Sequence, residues 1–332
     1  MPRIDYKETF SLVLLLVSLQ LIVNLSPALD LELHHLDVQT TFLHGELTEE
    51  LYMKQPPFFE DSKHPEAVCR LHRSLYGLKQ SPRVWNQRLH KFLLQAGDSR
   101  IHSETTIYIR KHENNFIILG VYVDDLPILS NNATYLDLSK KELKASFPIT
   151  DLGPMTHCLG IRVQRDRKKG TIYLSQSKYI HDILSRFDML HCKPMSIPMT
   201  IPRKLSMEDK PQNEQEIQEM KNVPYLQVLG SIRYLVSCTR PDLAFATGYL
   251  SRFMKEPGPK HWVALKRILR YLKQTKDMAL TFSVSQSKSL FLEGWTSPSL
   301  LQGWTDSDWG GDVDSKRSTS GYVYTLAGGA IA

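Results

Sequence analysis

Phe116-Ile117-Ile118-Leu119-Gly120-Val121-Tyr122-Val123-Asp124-Asp125-Leu126-Pro127-Ile128-Leu129 is the stretch on which the reading of this chain turns. Phe116 to Val123 is nearly all apolar and reads as a strand, and Leu126 to Leu129 resumes the run after Asp124-Asp125 interrupts it. Neither strand gains from two adjacent carboxylates, so their position calls for a chemical explanation. Upstream, Leu31, Leu33 and Leu36 to Val38 alternate in a strand-like way, which puts Asp37 near the end of another predicted strand. Magnesium takes oxygen ligands and keeps several waters, so one or two carboxylates per ion suffice. Two such ions, about 3.5–4 Å apart, activate an attacking hydroxyl and stabilise a leaving oxygen. Asp37, Asp124 and Asp125 supply that site if their two strands pair side by side. Taken alone, the pair is a weak signal, since most Asp-Asp pairs at a turn are ordinary surface acids.

Working outward, Ile107 to Ile109 is β-rich and His112 to Asn115 is turn-like, which predicts a hairpin with the Phe116 strand. Before it, Trp85, Leu89, Phe92 and Leu93 recur at helical spacing from Pro82 until Gly97 ends the run. Gln55 to Pro65 reads as a loop. Tyr135 to Phe147 reads as a helix, Cys158 to Val163 with Thr171 to Leu174 as a second hairpin, and Ile180 to Phe187 as another helix. The polar stretch Met207 to Asn222 is the best candidate for a flexible linker. Three helical patterns follow: Tyr225 to Cys238, Pro241 to Phe253 and Pro259 to Thr275. Arg252 to Lys276 holds eight Lys or Arg against one acid, Glu256, which is either a solvated face or a duplex-binding surface. Past Met278 the texture turns to short β-like pieces, with an acidic-aromatic cluster from Gly303 to Trp309 and a strand signal at Tyr322 to Thr325.

The composition allows all of this. With 332 residues, the chain is long enough for two domains or one large one. Hydrophobic residues make up 42% and charged residues 23%, which excludes collagen-like and wholly disordered chains. Forty-one basic against 35 acidic residues give +6, which permits a nucleic-acid partner without requiring one. The four cysteines, Cys69, Cys158, Cys192 and Cys238, lack zinc-site spacing and read as free thiols in a reducing compartment. Leu12 to Val23 is apolar but shorter than the roughly 20 residues a bilayer needs. Asp5 and Glu8 also spoil a signal-peptide start, so the run reads as a buried core helix of a soluble domain.

Six ordered blocks carry a resemblance. They are Leu36-Asp37-Val38-Gln39-Thr40-Thr41-Phe42-Leu43-His44-Gly45, Ser74 to Trp85, Tyr122-Val123-Asp124-Asp125, His157 to Ile161, Cys238 to Asp242, and Ser318 to Val323. Together they resemble the reverse transcriptase region of copia-type LTR retrotransposon Pol, from about Asp5 to the last residue. The resemblance implies an α+β fold: a right-hand polymerase palm with a helical thumb and connection, followed by an incomplete RNase H-like α/β domain. It implies palm and the start of thumb over 1–205, a polar linker over 206–223, thumb and connection over 224–278, and a partial RNase H-like domain over 279–332.

It further implies that Asp37, Asp124 and Asp125 are catalytic and hold Mg2+, with Mn2+ as a substitute, for transfer of a deoxynucleotide to a primer 3′-hydroxyl. Phe42, Tyr76, Gly77 and Tyr122 would then face the nucleotide, Phe42 as a gate against the ribose 2′-hydroxyl. Lys79, Arg83, Gly160, Lys266, Arg267, Arg270 and Lys273 would face nucleic acid. The implied partners are an RNA or DNA template with its primer, deoxynucleotides, and a second copy or another Pol chain, with no membrane. The implied location is intracellular: cytoplasm, virus-like particle or nucleus.

Asp306 matches the first RNase H carboxylate, but its partners would lie downstream, so no RNase H activity is expected. Departures from the family pattern are the absent upstream fingers segment, Pro127 in a predicted strand where an edge or bulge is expected, and Asp98 where an aromatic is usual. They leave open a second reading, a relic that binds nucleic acid without copying it.

Overall fold

The computed structural model describes residues 9, 11–200, 205–283, 301–326 and 328–331. The opening residues through Glu8 and positions 284–300 of the expected terminal domain lie outside the described residues. The chain forms two compact units, Met1–Ile22 with Leu31–Met155, and Val23–Asp30 with Thr156–Ala332. In chain order the elements through the first unit are α1 (Leu16–Ala28, divided between the units), β1 (Glu32–Val38), β2 (Tyr52–Lys54), β3 (Val68–Arg70), α2 (Ser81–Gln95), β4 (Ser99–Arg100), β5 (Ile107–His112), β6 (Asn115–Gly120), β7 (Asp125–Ser130), α3 (Ala133–Ser146) and β8 (Ile149–Pro154).

Six of these strands make one antiparallel sheet in the order β4-β5-β6-β7-β1-β8, and β2 pairs with β3 separately. The elements begin and end where local chemistry says they should. Pro82 stands in the first turn of α2, and Gly97 just past its end adopts φ 90°, which a side chain would resist. The Asn132 side chain accepts the Tyr135 N–H at 3.0 Å and caps α3. On one sheet face, Leu36, Val38, Ile117, Leu119, Leu126 and Ile128 pack with Trp85, Leu89 and Leu93 of α2 and Leu136 and Leu143 of α3.

The apolar run of Leu12 to Val23 differs from expectation. Its helix begins only at Leu16, and only one stripe is buried. Leu14, Leu19, Ile22 and Val23 are covered, whereas Leu12, Val13, Leu15, Val17 and Leu21 are exposed. Gly120 explains the seat of that stripe: a Cβ there would lie 3.0 Å from Leu14, 3.1 Å from Pro127 and 3.2 Å from Ile22.

Pro127 also differs from expectation, since it occupies a central strand. Val38 N–H donates to Asp124 O at 2.9 Å, so hydrogen-bonded pairs in the β1–β7 ladder fall on even-numbered residues. The missing Pro127 donor therefore faces β6, where pairing stops at Leu119↔Ile128. The ladder on the β1 side is intact.

The second unit contains β9 (His157–Cys158), β10 (Ile161–Asp166), β11 (Thr171–Ser175), α4 (Ser177–Arg186), α5 (Glu214–Lys221), α6 (Tyr225–Cys238), α7 (Ala244–Ser251), α8 (Pro259–Gln274), β12 (Leu280–Ser283), β13 (Leu301–Ser307), β14 (Ser320–Leu326) and β15 (Gly329–Ala330). Its sheets are β12-β11-β10-β9 and β13-β14-β15. β12, in the stretch expected to open the terminal domain, pairs with β11 in the register Leu174↔Leu280. The expected linker carries a Ser206-capped 3-10 turn and the short helix α5, none of whose side chains is buried. The helical core gathers Ile180, Ile183, Val228, Leu229, Ile232, Leu250, Leu265 and Leu269.

Arg240 is buried and ties the end of α6 to the end of α8. It donates to both Asp242 oxygens at 2.9 and 2.8 Å and to Thr275 Oγ1 at 2.7 Å. Tyr271 donates its hydroxyl to Asp242 at 2.9 Å.

Candidate active site

The site is built on the hairpin between β6 and β7. Tyr122 and Asp125 exchange two backbone hydrogen bonds of 2.9 Å, leaving Val123 and Asp124 as a two-residue tip. Such a tip needs positive φ at its first position, and Val123 has φ 57°. A β-branched residue is strained there. Trp85 Nε1 donates to Val123 O at 2.8 Å from within the α2 core and holds the tip.

β1 brings in the remaining carboxylate, because Asp37 stands directly opposite Asp125 in the antiparallel register. The alternation of side chains puts Leu36 and Val38 in the helix-covered core and Asp37 on the other face, with Asp125 beside it. Asp37 and Asp125 are half-buried and Asp124 is exposed. Although Asp124 as a residue is exposed, partial screening of its carboxyl from water, and then the charges of Asp125 and Asp37, push that carboxyl above its ordinary value, against the pull of backbone hydrogen bonds. Carboxylates crowded in this way are the donor type a hard divalent cation takes, and its charge would relieve the repulsion on Asp124.

The chain after β1 forms a 3-10 turn, Thr41–His44, that presents Phe42. The Phe42 ring meets that of Tyr76 edge-on, with centroids 5.0 Å apart. Ser74 donates its hydroxyl to Phe42 O, and a side chain at Gly45 would lie 2.6 Å from that Ser74 oxygen. Tyr76 is largely exposed, Gly77 adopts φ 96°, Lys79 is exposed and Arg83 is half-buried in the first turn of α2. Residues 1–201 match the family model described as reverse transcriptase (RNA-dependent DNA polymerase).

The chain belongs to the reverse transcriptase family.

Its relatives specify the branch. It is 42% identical over 330 residues to the retrovirus-related Pol polyprotein from transposon TNT 1-94 of Nicotiana tabacum, covering 99% of this chain and 24% of that protein. It is 36% identical over 325 residues to the Pol polyprotein from transposon RE2 of Arabidopsis thaliana, covering 98% and 21% respectively. A Saccharomyces cerevisiae protein named for transposon Ty5-1 is 31% identical over 297 residues, which is 89% of this chain and 90% of that protein. The family is thus that of copia-type retrotransposon Pol, and the chain spans about a quarter of the length of the two plant polyproteins. Reverse transcriptases act on a template with its primer and on deoxynucleotides, and typically use divalent metals.

The structure treats the other expected reverse transcriptase residues unequally. Gly160 and the α8 cations belong to the second unit. Gly160 follows Leu159 in the β9–β10 turn; both have positive φ, and Tyr234 donates its hydroxyl to Leu159 O. Lys266 lies 5.6 Å over the Trp262 ring, and Arg267 is half-buried. Arg270 donates to Lys193 O and Lys273 to Cys192 O, both at 2.6 Å, so these two pin the segment before residue 195.

Asp306 is exposed on β13, whereas Asp308 accepts the Thr319 N–H at 2.5 Å and fastens the ends of β13 and β14. None of the four cysteines is in a disulfide. Among the described residues no helix is long and apolar enough to cross a membrane. Sequence reasoning missed two contacts at the site, the Trp85 bond to the tip and the bond between His35 and Asp125. Trp85 was visible only as a helix-face residue and His35 only as a strand residue.

Proposed function

We propose that this chain is the RNA-directed DNA polymerase part of a copia-type Pol polyprotein. The observation that carries this reading is the register that sets Asp37 opposite Asp125, with Asp124 at the adjoining tip. In this reading the β6–β7–β1 sheet and its helices are the palm, α4 and the helices from α6 to α8 serve as thumb and connection, and the stretch from 206 to 223 links them. Bound Mg2+ or Mn2+ would favour deprotonation of the primer 3′-hydroxyl and offset charge on the leaving pyrophosphate. Asp37 and Asp125 offer carboxylate oxygens from a rigid ladder, and Asp124 adds a third from the tip. The Phe42 ring, buttressed by Tyr76, sits beneath the sugar and leaves no room for a 2′-oxygen. Tyr122, Gly77, Lys79 and Arg83 line the approach of nucleotide and template, and the Leu159-Gly160 turn positions the primer.

The β13-β14-β15 sheet is read as an RNase H-like element. Asp306 would be its first carboxylate, beside Asp308, which accepts the Thr319 N–H. The test is primer extension on an RNA template with Mg2+ and all four deoxynucleotides, beside Asp124→Asn. Extension by the native chain that disappears in the variant is the expected result. A soluble chain that binds primer–template at low salt and extends nothing would leave the relic reading in its place.

A further inference from the structure

We infer that His35 is a positioning residue for Asp125 and thereby sets how tightly this site holds a divalent cation; the inference rests on the polymerase reading above. His35 lies on β1 two residues before Asp37, so both side chains leave the same face of the strand. On β7 the residues sharing that face are Asp125 and Pro127, with Asp37 opposite Asp125 and His35 opposite Pro127. Both are non-hydrogen-bonded pairs of the ladder, the kind in which side chains approach most closely. His35 therefore meets Asp125 on the diagonal, one pair removed, which is within reach of an imidazole.

The contact is direct. Nε2 of His35 lies 2.6 Å from Oδ1 of Asp125, and the His35 side chain is only 9% exposed. Pro127 faces His35 with a ring that offers no hydrogen-bonding group, so the strand partner cannot draw the imidazole away. A short bond from a buried donor to a carboxylate is among the stronger hydrogen bonds in a protein. It occupies Oδ1 and fixes the rotation of the carboxylate about its Cβ–Cγ bond, leaving Oδ2 for an ion shared with Asp37. Hydrogen bonds to a ligating carboxylate typically change metal affinity by about 10- to 100-fold when removed. Trp85 holds the backbone at the tip, and His35 holds the carboxylate one residue further on.

The test measures Mn2+ binding to the full chain alone, from the loss of the free-ion electron paramagnetic resonance signal, with no template or nucleotide present. His35→Leu should weaken Mn2+ binding by at least about tenfold. His35→Gln keeps a donor amide and should stay within about threefold of the native chain, with melting temperatures recorded for both. If His35→Leu fails to fold, His35→Asn, whose amide is too short to reach Asp125, takes its place with the same expected loss. Unchanged Mn2+ affinity in His35→Leu or His35→Asn, beside loss in Asp124→Asn, would overturn the positioning role and leave the polymerase reading standing. Equal losses in the Gln and Leu variants would overturn it too, because the donor would then be irrelevant. A native chain that takes up no Mn2+ would overturn both.

Discussion

Val123, with φ 57° in a β-branched residue, stores strain of about 1–3 kcal/mol, and such strain persists only where neighbours over-determine the backbone. Trp85 is the neighbour that does so. Trp85→Phe keeps most of the packing against Phe147 but loses the bond to Val123 O. It should cost about 1 kcal/mol in urea unfolding and lower nucleotide incorporation by more than that stability loss accounts for. Incorporation equal to that of the native chain would remove the tip from the proposed mechanism. Phe42 makes a separate residue-scale prediction. Phe42→Ala should raise ribonucleotide incorporation relative to deoxynucleotide, read from single-nucleotide extension, and an unchanged ratio would sink the proposed gate.

Between elements, the stability of the first unit depends on charges it buries. Asp98, just past α2, is 5% exposed, and Arg110 Nε of β5 lies 3.6 Å from its carboxylate. Arg110 also reaches Glu142 of α3 at 2.6 Å and Ala96 O at 2.9 Å, so one guanidinium joins α2, β5 and α3. Burial pushes the Asp98 carboxyl up to about 6 despite Arg110. The folded state therefore holds a proton that the unfolded state has already released between the ordinary carboxylate value of 3.8 and about 6. Its contribution to stability is greatest below that window and is lost as pH rises through it, to the extent of about 3 kcal/mol. Asp98→Asn should flatten the decline of unfolding free energy over that pH range relative to the native chain. Parallel curves would show that Asp98 is not the group responsible. In the second unit, Arg240→Ala would strip a buried guanidinium from Asp242 and Thr275 and should destabilise by about 3–5 kcal/mol in thermal unfolding.

For the whole molecule, the +6 balance and the basic α8 fit the proposed duplex partner, and phosphate contacts make such binding salt-dependent. The α8 cations should divide by what they already hold. Lys266→Gln should leave the melting temperature near native and reduce the salt slope of primer–template binding by about one. Arg270 and Lys273 bond the Lys193 and Cys192 carbonyls, so replacing them should lower the melting temperature as well. If all three variants weakened binding alike without any change in melting, that division would be wrong.

Much of this was legible in the residues themselves. Period-two and helical spacing marked β1, α2 and α6 nearly to the residue, because each buries one face and its apolar positions must repeat with its geometry, whereas the β-rich and apolar runs marked β5 and β6 only to within about three residues at their ends. Pro82 and Gly97 marked the ends of α2 through backbone chemistry that acts locally. The six ordered blocks marked the family, and the acidic interruption between two apolar strands marked the candidate site. What the residues could not disclose was long-range. The register that sets Asp37 against Asp125 joins positions 88 residues apart, and it follows from which faces of β1 and β7 the helices cover. How a strand tolerates Pro127 away from an edge was not legible, because the direction of its missing donor depends on which ladder it faces. His35 and Trp85 looked like strand and core residues, since a hydrogen bond to a distant partner leaves no period in the chain. The sequence by itself determined the main helices and strands and the candidate carboxylates; only the tertiary structure decided their pairing and their supporting bonds, because those depend on contacts between residues far apart in the chain.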